Sequence, residues 1–161
     1  MKNYIFILGM LFAGLAMNSN AQIHSEMEGK YYFAATVKGE LMDVKQKTEE
    51  VFKEEGFGLI SEIPMHEKLE EKLEDVDVKP YYIMGFCNPA YAYKTLQLEE
   101  NIGLFLPCKV IVRDNGNGTI DVVAIDPEKA MQTIGNNDLN DIAGEVTKRF
   151  KAAIEALPAE L

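Results

Sequence analysis

Two residues in this sequence offer chemistry that its other side chains do not, the cysteines Cys87 and Cys108, 21 positions apart. Cys87 is followed at once by Asn88-Pro89. Asn is a good helix N-cap, and Pro suits the first helical position. A thiol just ahead of such a cap lies near free N–H groups and the positive end of a helix dipole, which favours the thiolate. Cys108 follows Pro107 and opens a run rich in β-branched residues.

Four readings of the pair stand side by side. Both can be small buried hydrophobes, as free Cys often is. They can form a structural disulfide, worth about 3 kcal/mol for a loop of this length in an oxidising compartment. They can carry thiol redox or sulfur-transfer chemistry, with Cys87 attacking and Cys108 resolving. They can hold a soft metal such as copper(I), completed by Met84, Met65 or His66. Asn88, Pro89, Tyr91 and Pro107 are the neighbours that would line a ligand pocket beside the two sulfurs, and Tyr81, Tyr82 and Tyr93 lie in the same stretch. No Gly-rich phosphate loop, zinc-ligand spacing or Ser-His-Asp order is present. No carboxylate pair stands out for acid–base work. No cofactor is therefore predicted apart from the soft-metal option. His24 and His66 fall in polar, charged segments and read as surface side chains.

The elements that must position these residues follow from periodicity. Tyr31 to Val37 is rich in β-formers. Leu41, Val44, Thr48, Val51 and Phe52 recur at helical spacing, and Gly56 ends that helix. Phe57 to Ile63 reads as a strand closed by Pro64, and His66 to Asp75 as a short charged helix anchored by Leu69 and Leu73. Lys79 to Phe86 is a third strand, with Pro80 at its entrance. The helix opened by Asn88-Pro89 runs to about Glu100. Ile102–Leu106 and Lys109–Asp114 are apolar, and they read as one long strand bent at Pro107. Asn115-Gly116-Asn117-Gly118 supplies the positive φ angles of a tight hairpin into Thr119–Ile125; the sequon Asn117-Gly118-Thr119 is explained by the same turn. Asp126-Pro127 caps a short helix to about Thr133. From Leu139 to Leu157 an apolar stripe of some five turns predicts a long final helix, with a weak Glu145–Arg149 pair on its surface. Strands and helices mixed in this order predict a two-layer α+β domain, an antiparallel-rich sheet of about five strands backed by helices.

The ends and the composition set the context. Lys2, an apolar run from Tyr4 to Met17 and the small residues Ser19 and Ala21 make a signal peptide over residues 1–21. The run is shorter than the roughly 20 residues needed to span a bilayer. Residues 22–30 are a polar lead-in, and 31–161 form the single domain. The expected location is a periplasm or the outside of the cell. The chain is 47% hydrophobic and 26% charged, with a formal net charge of −10 that becomes one unit more negative once Lys2 is removed. That charge disfavours nucleic acid and anionic lipid. A small ligand or an envelope protein remains as partner, with no membrane span.

The segment from Lys79 to Asp126 is the distinctive part. It contains Tyr81-Tyr82-Ile83-Met84-Gly85-Phe86, Cys87-Asn88-Pro89, Gly103-Leu104-Phe105-Leu106-Pro107-Cys108, Val110-Ile111-Val112 and Asp126-Pro127, preceded upstream by Glu55-Gly56-Phe57-Gly58. Together these resemble the family called domain of unknown function 302, over roughly residues 31 to 133 and the final helix. Phe86 before Cys87 and Lys109 after Cys108 depart mildly from the pattern. The resemblance implies a compact α+β fold whose sheet and long helix are arranged as in TATA-binding-protein-like domains, and it allows a homodimer. It implies no activity, and a fold alone does not license DNA binding. The leading expectation is a non-catalytic binding or accessory protein of the cell envelope. Its rivals are a thiol redox or sulfur-handling protein and a copper-binding protein.

Overall fold

The computed structural model describes residues 31–161. The expected signal peptide, lead-in and His24 lie outside the described residues. The elements are β1 (Tyr32–Lys38), α1 (Leu41–Glu54), β2 (Gly58–Pro64), α2 (Met65–Glu70), β3 (Tyr81–Cys87), α3 (Pro89–Leu98), β4 (Cys108–Asp114), β5 (Thr119–Ile125), α4 (Pro127–Met131) and α5 (Asn140–Glu155). Short 3-10 turns occupy Ile102–Leu104, Gln132–Ile134 and Asn137–Leu139.

The five strands form one sheet in the order β1-β5-β4-β3-β2, antiparallel at every neighbouring pair. The α+β class, the five strands and the long final helix are as the sequence predicts. Strand alternation is clean where it matters. In β5, Ile120, Val122 and Ala124 are buried while Thr119, Asp121, Val123 and Ile125 between them are not. The same two-residue period runs through β4, where Cys108, Val110 and Val112 point inward. Such alternation is that of a sheet packed on one side only.

The packed side meets α1 and α5. Val44, Thr48, Val51 and Phe52 are the buried stripe of α1, and Ala143, Val146, Phe150, Ala153 and Ile154 that of α5. Four phenyl rings tie the layers together. Phe52 stacks on Phe86 of β3 at 4.5 Å and meets Phe150 edge-on at 4.9 Å, and Phe57 meets Phe150 at 5.0 Å. Aromatic pairs at these separations add stability beyond burial alone. Gly56 ends α1 at φ +84°, a conformation that suits Gly.

Two expectations about elements are corrected. Residues 102–106 do not extend β4. Ile102–Leu104 forms a 3-10 turn, and Ile102 is fully buried in a small second core with Met131, Leu139 and Ala143. An apolar run with no clear period cannot distinguish a strand from a short buried turn. The charged helix is also shorter than His66–Asp75, ending at Glu70. Its second anchor, Leu73, lies beyond the helix and is 51% exposed.

Candidate functional site

Cys87 ends β3 and Cys108 begins the neighbouring β4, where Cys108 stands directly opposite Phe86. Both cysteines are free thiols, so the disulfide reading does not describe this structure. They nevertheless share a wall of one narrow apolar cleft, whose enclosed volume is about 20 Å³, room for roughly one water, within some 330 Å³ of empty space that includes open solvent at its mouth. The floor is Phe57, Phe86 and Cys108. α3 lies across the cleft and contributes Tyr91, Ala92 and Thr95, while Met131, Ile142 and Val146 close the side toward α4 and α5. No charged side chain lines it.

α3 is held over this cleft chiefly by its ends. Asn88 does two things at the first end. Its Oδ1 accepts the N–H groups of Ala90 and Tyr91 at 3.0 and 3.2 Å, and its Nδ2 donates to the Gly56 carbonyl at 2.8 Å. At the second end, Asn136 Nδ2 donates to the Leu98 carbonyl at 3.0 Å. Between the two fastenings Thr95 is the one buried residue of the helix. Its hydroxyl is satisfied by the Ala92 carbonyl at 3.0 Å. The Tyr91 hydroxyl accepts from Arg149 Nε at 3.2 Å, and Arg149 also pairs with Glu145 at 3.1 Å.

This geometry gives Cys87 little activation. Asn88 already occupies the amides of Ala90 and Tyr91, and Pro89 has none to give. Little of the helix N-terminus is left to stabilise a thiolate. Burial pushes the Cys87 thiol above its ordinary value. Burial, and then the neighbouring Cys87, push Cys108 up to about 11, with Lys109 opposing. Desolvation disfavours the charged form and leaves both sulfurs as thiols at neutral pH.

The other sequence candidates separate. Asn88 and Tyr91 line the cleft with the cysteines, and Pro89 and Pro107 do not. Pro89 is exposed at the first position of α3. Pro107 packs against Gly85, where an added Cβ would collide with Pro107 Cγ and Ser61 Oγ. Met84 is fully buried in the main core and is not in the cleft wall. His66 lies at the far end of β3, bonded through Nδ1 to the backbone of Tyr81 at 3.2 Å. Six residues of strand, roughly 20 Å, separate that point from Cys87. Met65 adjoins His66 in α2, so neither completes a metal site with the cysteines. Among the described residues no group of three or more His, Cys, Asp or Glu side chains could hold a metal ion. Of the tyrosines, Tyr93 is 66% exposed, and Tyr82 packs beside His66 and Lys45.

Sequence reasoning missed most of the cleft wall. Ala92 and Thr95 follow Tyr91 by one and four positions, so helical spacing alone groups Thr95 with Tyr91. Met131, Ile142 and Val146 arrive from elements far along the chain, and no local signal marks them.

The motif residues thus meet in space. Pro107 covers Gly85, Cys108 faces Phe86, and Asn88 ties α3 to the turn at Gly56. The model for "Domain of unknown function DUF302" matches residues 33–157. The chain belongs to the DUF302 family. A solved DUF302 structure, described as an uncharacterized conserved protein DUF302 from Bacillus stearothermophilus, is similar to this domain at 30% identity. The likeness has a TM-score of 0.71 and covers 78% of this chain and 96% of that one. No curated protein shows a significant match to this DUF302 chain. Among the described residues of the DUF302 domain, no helix is long and apolar enough to cross a membrane.

Proposed function

We propose that this DUF302 protein is a non-catalytic binding protein of the cell envelope that holds a small apolar ligand in the cleft beneath α3. The observation that carries the proposal is the character of the cleft wall. It is hydrophobic, its hydroxyl and amide groups are already bonded, and its two sulfurs are held as thiols. Apolar concave sites with few polar groups are the usual form of small-molecule pockets. A reaction centre would need a group poised to take or give a proton, and burial pushes both wall thiols upward, toward the protonated form. The envelope location rests on the signal-peptide reading of residues 1–21.

Indole is a suitable probe, being flat, apolar and small; because the closed cleft has room for roughly one water, indole enters only as α3 moves outward. Titration followed by amide NMR is expected to shift Thr95 and Cys108 selectively. Ala92→Trp, which fills the cleft from α3, should abolish those shifts. Shifts scattered over other surfaces, or unchanged binding by Ala92→Trp, would remove the proposal.

A second reading keeps the thiols as reagents, because both sulfurs line one cleft. The rate of iodoacetamide modification of Cys87 against pH separates the two. A passive thiol reacts slowly at neutral pH and speeds up through and beyond pH 9, whereas a plateau near pH 7 would favour redox or sulfur transfer. Copper(I) is a third occupant of the same cleft by ligand type, with Cys87 and Cys108 as its two sulfur donors. A stoichiometric copper(I) complex lost in Cys87→Ser would support it.

A further inference from the structure

The turn between β4 and β5 holds two Asn-Gly pairs in succession, Asn115-Gly116 and Asn117-Gly118. An Asn followed by Gly is open to attack by its own main chain, because no Cβ obstructs the glycine nitrogen as it meets the carboxamide carbon beside it. The turn shares no residue with the cleft wall. As sequence the two pairs are equivalent, but the fold holds them in opposite ways.

Asn115 is half-buried and is held at both reacting ends. Its Nδ2, the nitrogen that would leave, donates to Thr119 Oγ1 at 3.1 Å and to Asp121 Oδ1 at 2.9 Å. The nitrogen that would attack it, that of Gly116, donates to Asp114 Oδ1 at 2.6 Å. Asn117 is exposed, and its bonding is reversed. Its Oδ1 accepts the Thr119 N–H at 3.2 Å and the Thr119 hydroxyl at 2.7 Å. Among the described residues no hydrogen bond holds its Nδ2 or the Gly118 nitrogen. A bond from a side chain to the amide two residues on folds that side chain back along its own main chain.

We propose that Asn117 is a site of intramolecular deamidation, with water as co-reactant, and that the turn shields Asn115 from the same reaction. The Gly118 nitrogen gives its proton to a solvent base and bonds to Asn117 Cγ. Negative charge develops on Oδ1, where the two Thr119 donors already point, and donors preorganised at a developing oxyanion lower the barrier. The Cγ–Nδ2 bond then breaks, and the nitrogen takes a proton from solvent and leaves as ammonia. Water opens the resulting five-membered imide at either carbonyl. One opening leaves aspartate, and the other leaves isoaspartate, with the main chain rerouted through the former side chain.

The modification reaches beyond the turn. The Gly118 carbonyl accepts the Gly39 N–H at 3.3 Å. Lys38, next to it, bonds the C-terminal segment through both main-chain groups, to Ala159 and to Leu161, each at 2.9 Å. Aspartate keeps an oxygen for the Thr119 donors. Isoaspartate adds a main-chain carbon ahead of Gly118 and moves the carbonyl that Gly39 uses. Either product adds a negative charge to a chain that carries −10.

Peptide mass spectrometry of the full chain, incubated folded at mildly alkaline pH, tests this. Fragment ions should place the gain of one mass unit at Asn117 about tenfold faster than at Asn115, a barrier difference of about 1.4 kcal/mol. In the guanidinium-unfolded chain the two sites should react at similar rates, which separates the fold from the sequence. Thr119→Val keeps the N–H and loses the hydroxyl. It should slow Asn117 several-fold and, by releasing Asn115 Nδ2, speed Asn115. Methyl transfer from S-adenosylmethionine by an isoaspartyl methyltransferase should label the aged chain and leave aged Asn117→Gln unlabelled at the turn. Amide exchange at Gly39 should rise in the isoaspartyl form. An Asn117 that stays intact in the folded chain would overturn the proposal. So would equal rates at the two sites, a preference for Asn117 that survives unfolding, or an Asn117 rate untouched by Thr119→Val.

Discussion

Asn136 and Leu98 are joined by a side-chain amide to carbonyl bond of 3.0 Å across 38 positions of the chain. It pins the last residue of α3 to the turn that precedes α5, and α3 is the roof of the apolar cleft. The bond lies beside a helix with one buried residue, so its loss should free that helix more than it weakens the fold. Asn136→Ala is expected to cost about 1 kcal/mol of global stability. The same change should raise the rate at which a thiol reagent reaches Cys108 several-fold. Denaturant melts and Cys108 labelling kinetics measure the two effects separately. Equal labelling rates in parent and variant would show that α3 opens by another route.

Asn88 fastens the opposite end with three hydrogen bonds from one side chain. Asn88→Ala removes an N-cap and a cross-link to Gly56 together. A loss of about 1–2 kcal/mol is expected from the cap, with the lost Gly56 bond added to it. Asn88→Asp keeps the acceptor for Ala90 and Tyr91 but not the donor to Gly56, so it should fall between parent and Ala. Urea unfolding of the three proteins orders them.

Gly85 lies under Pro107 and beside Ser61, with no room for a Cβ. Gly85→Ala should therefore destabilise by about 1–3 kcal/mol, the range for overpacking. Ser61→Gly, made in the same chain, relieves only one of the two collisions and should recover part of the loss. Thermal melts of the single and double variants test the assignment.

Alkaline pH probes Cys108. Its folded-state value of about 11 lies above the ordinary 9.0, because burial disfavours the thiolate. A raised value means that the thiol form is the one the fold favours. The corresponding stability is fully present below pH 9 and is lost as pH rises from 9 toward 11. Cys108→Ala should be less stable at pH 7, by on the order of 1 kcal/mol. It should also lose less stability between pH 8 and 10.5 than the parent. Stability curves that run parallel over that range would contradict the buried, protonated assignment.

Much of the fold could be read from local chemistry. The cap and proline at Asn88-Pro89 mark the start of α3, the Asn-Gly pairs mark the β4–β5 hairpin, and the apolar stripe from Ile142 to Ile154 marks α5. Each depends on a few adjacent residues. Residues 102–106 look like strand in the sequence because they are apolar, but that apolarity serves the second core through Ile102, without sheet pairing. The spacing of the two cysteines leaves their distance open in the sequence, and only the pairing of β3 with β4 brings both to one cleft. The cap residue that announces the helix also consumes its free amides. Most of the cleft wall is invisible in the sequence, since residues such as Met131, Ile142 and Val146 reach it by tertiary packing.

The claim that a ligand sits between α3 and the two sulfurs is tested most directly by protection of Cys108. The labelling rate of Cys108 by a small thiol reagent is measured with and without saturating indole. Occupied cleft and shielded sulfur are the same event in this account, so saturation should slow labelling at least several-fold, and Ala92→Trp should label slowly with or without indole. Indole that binds while Cys108 labels at its original rate would place the ligand elsewhere and contradict it.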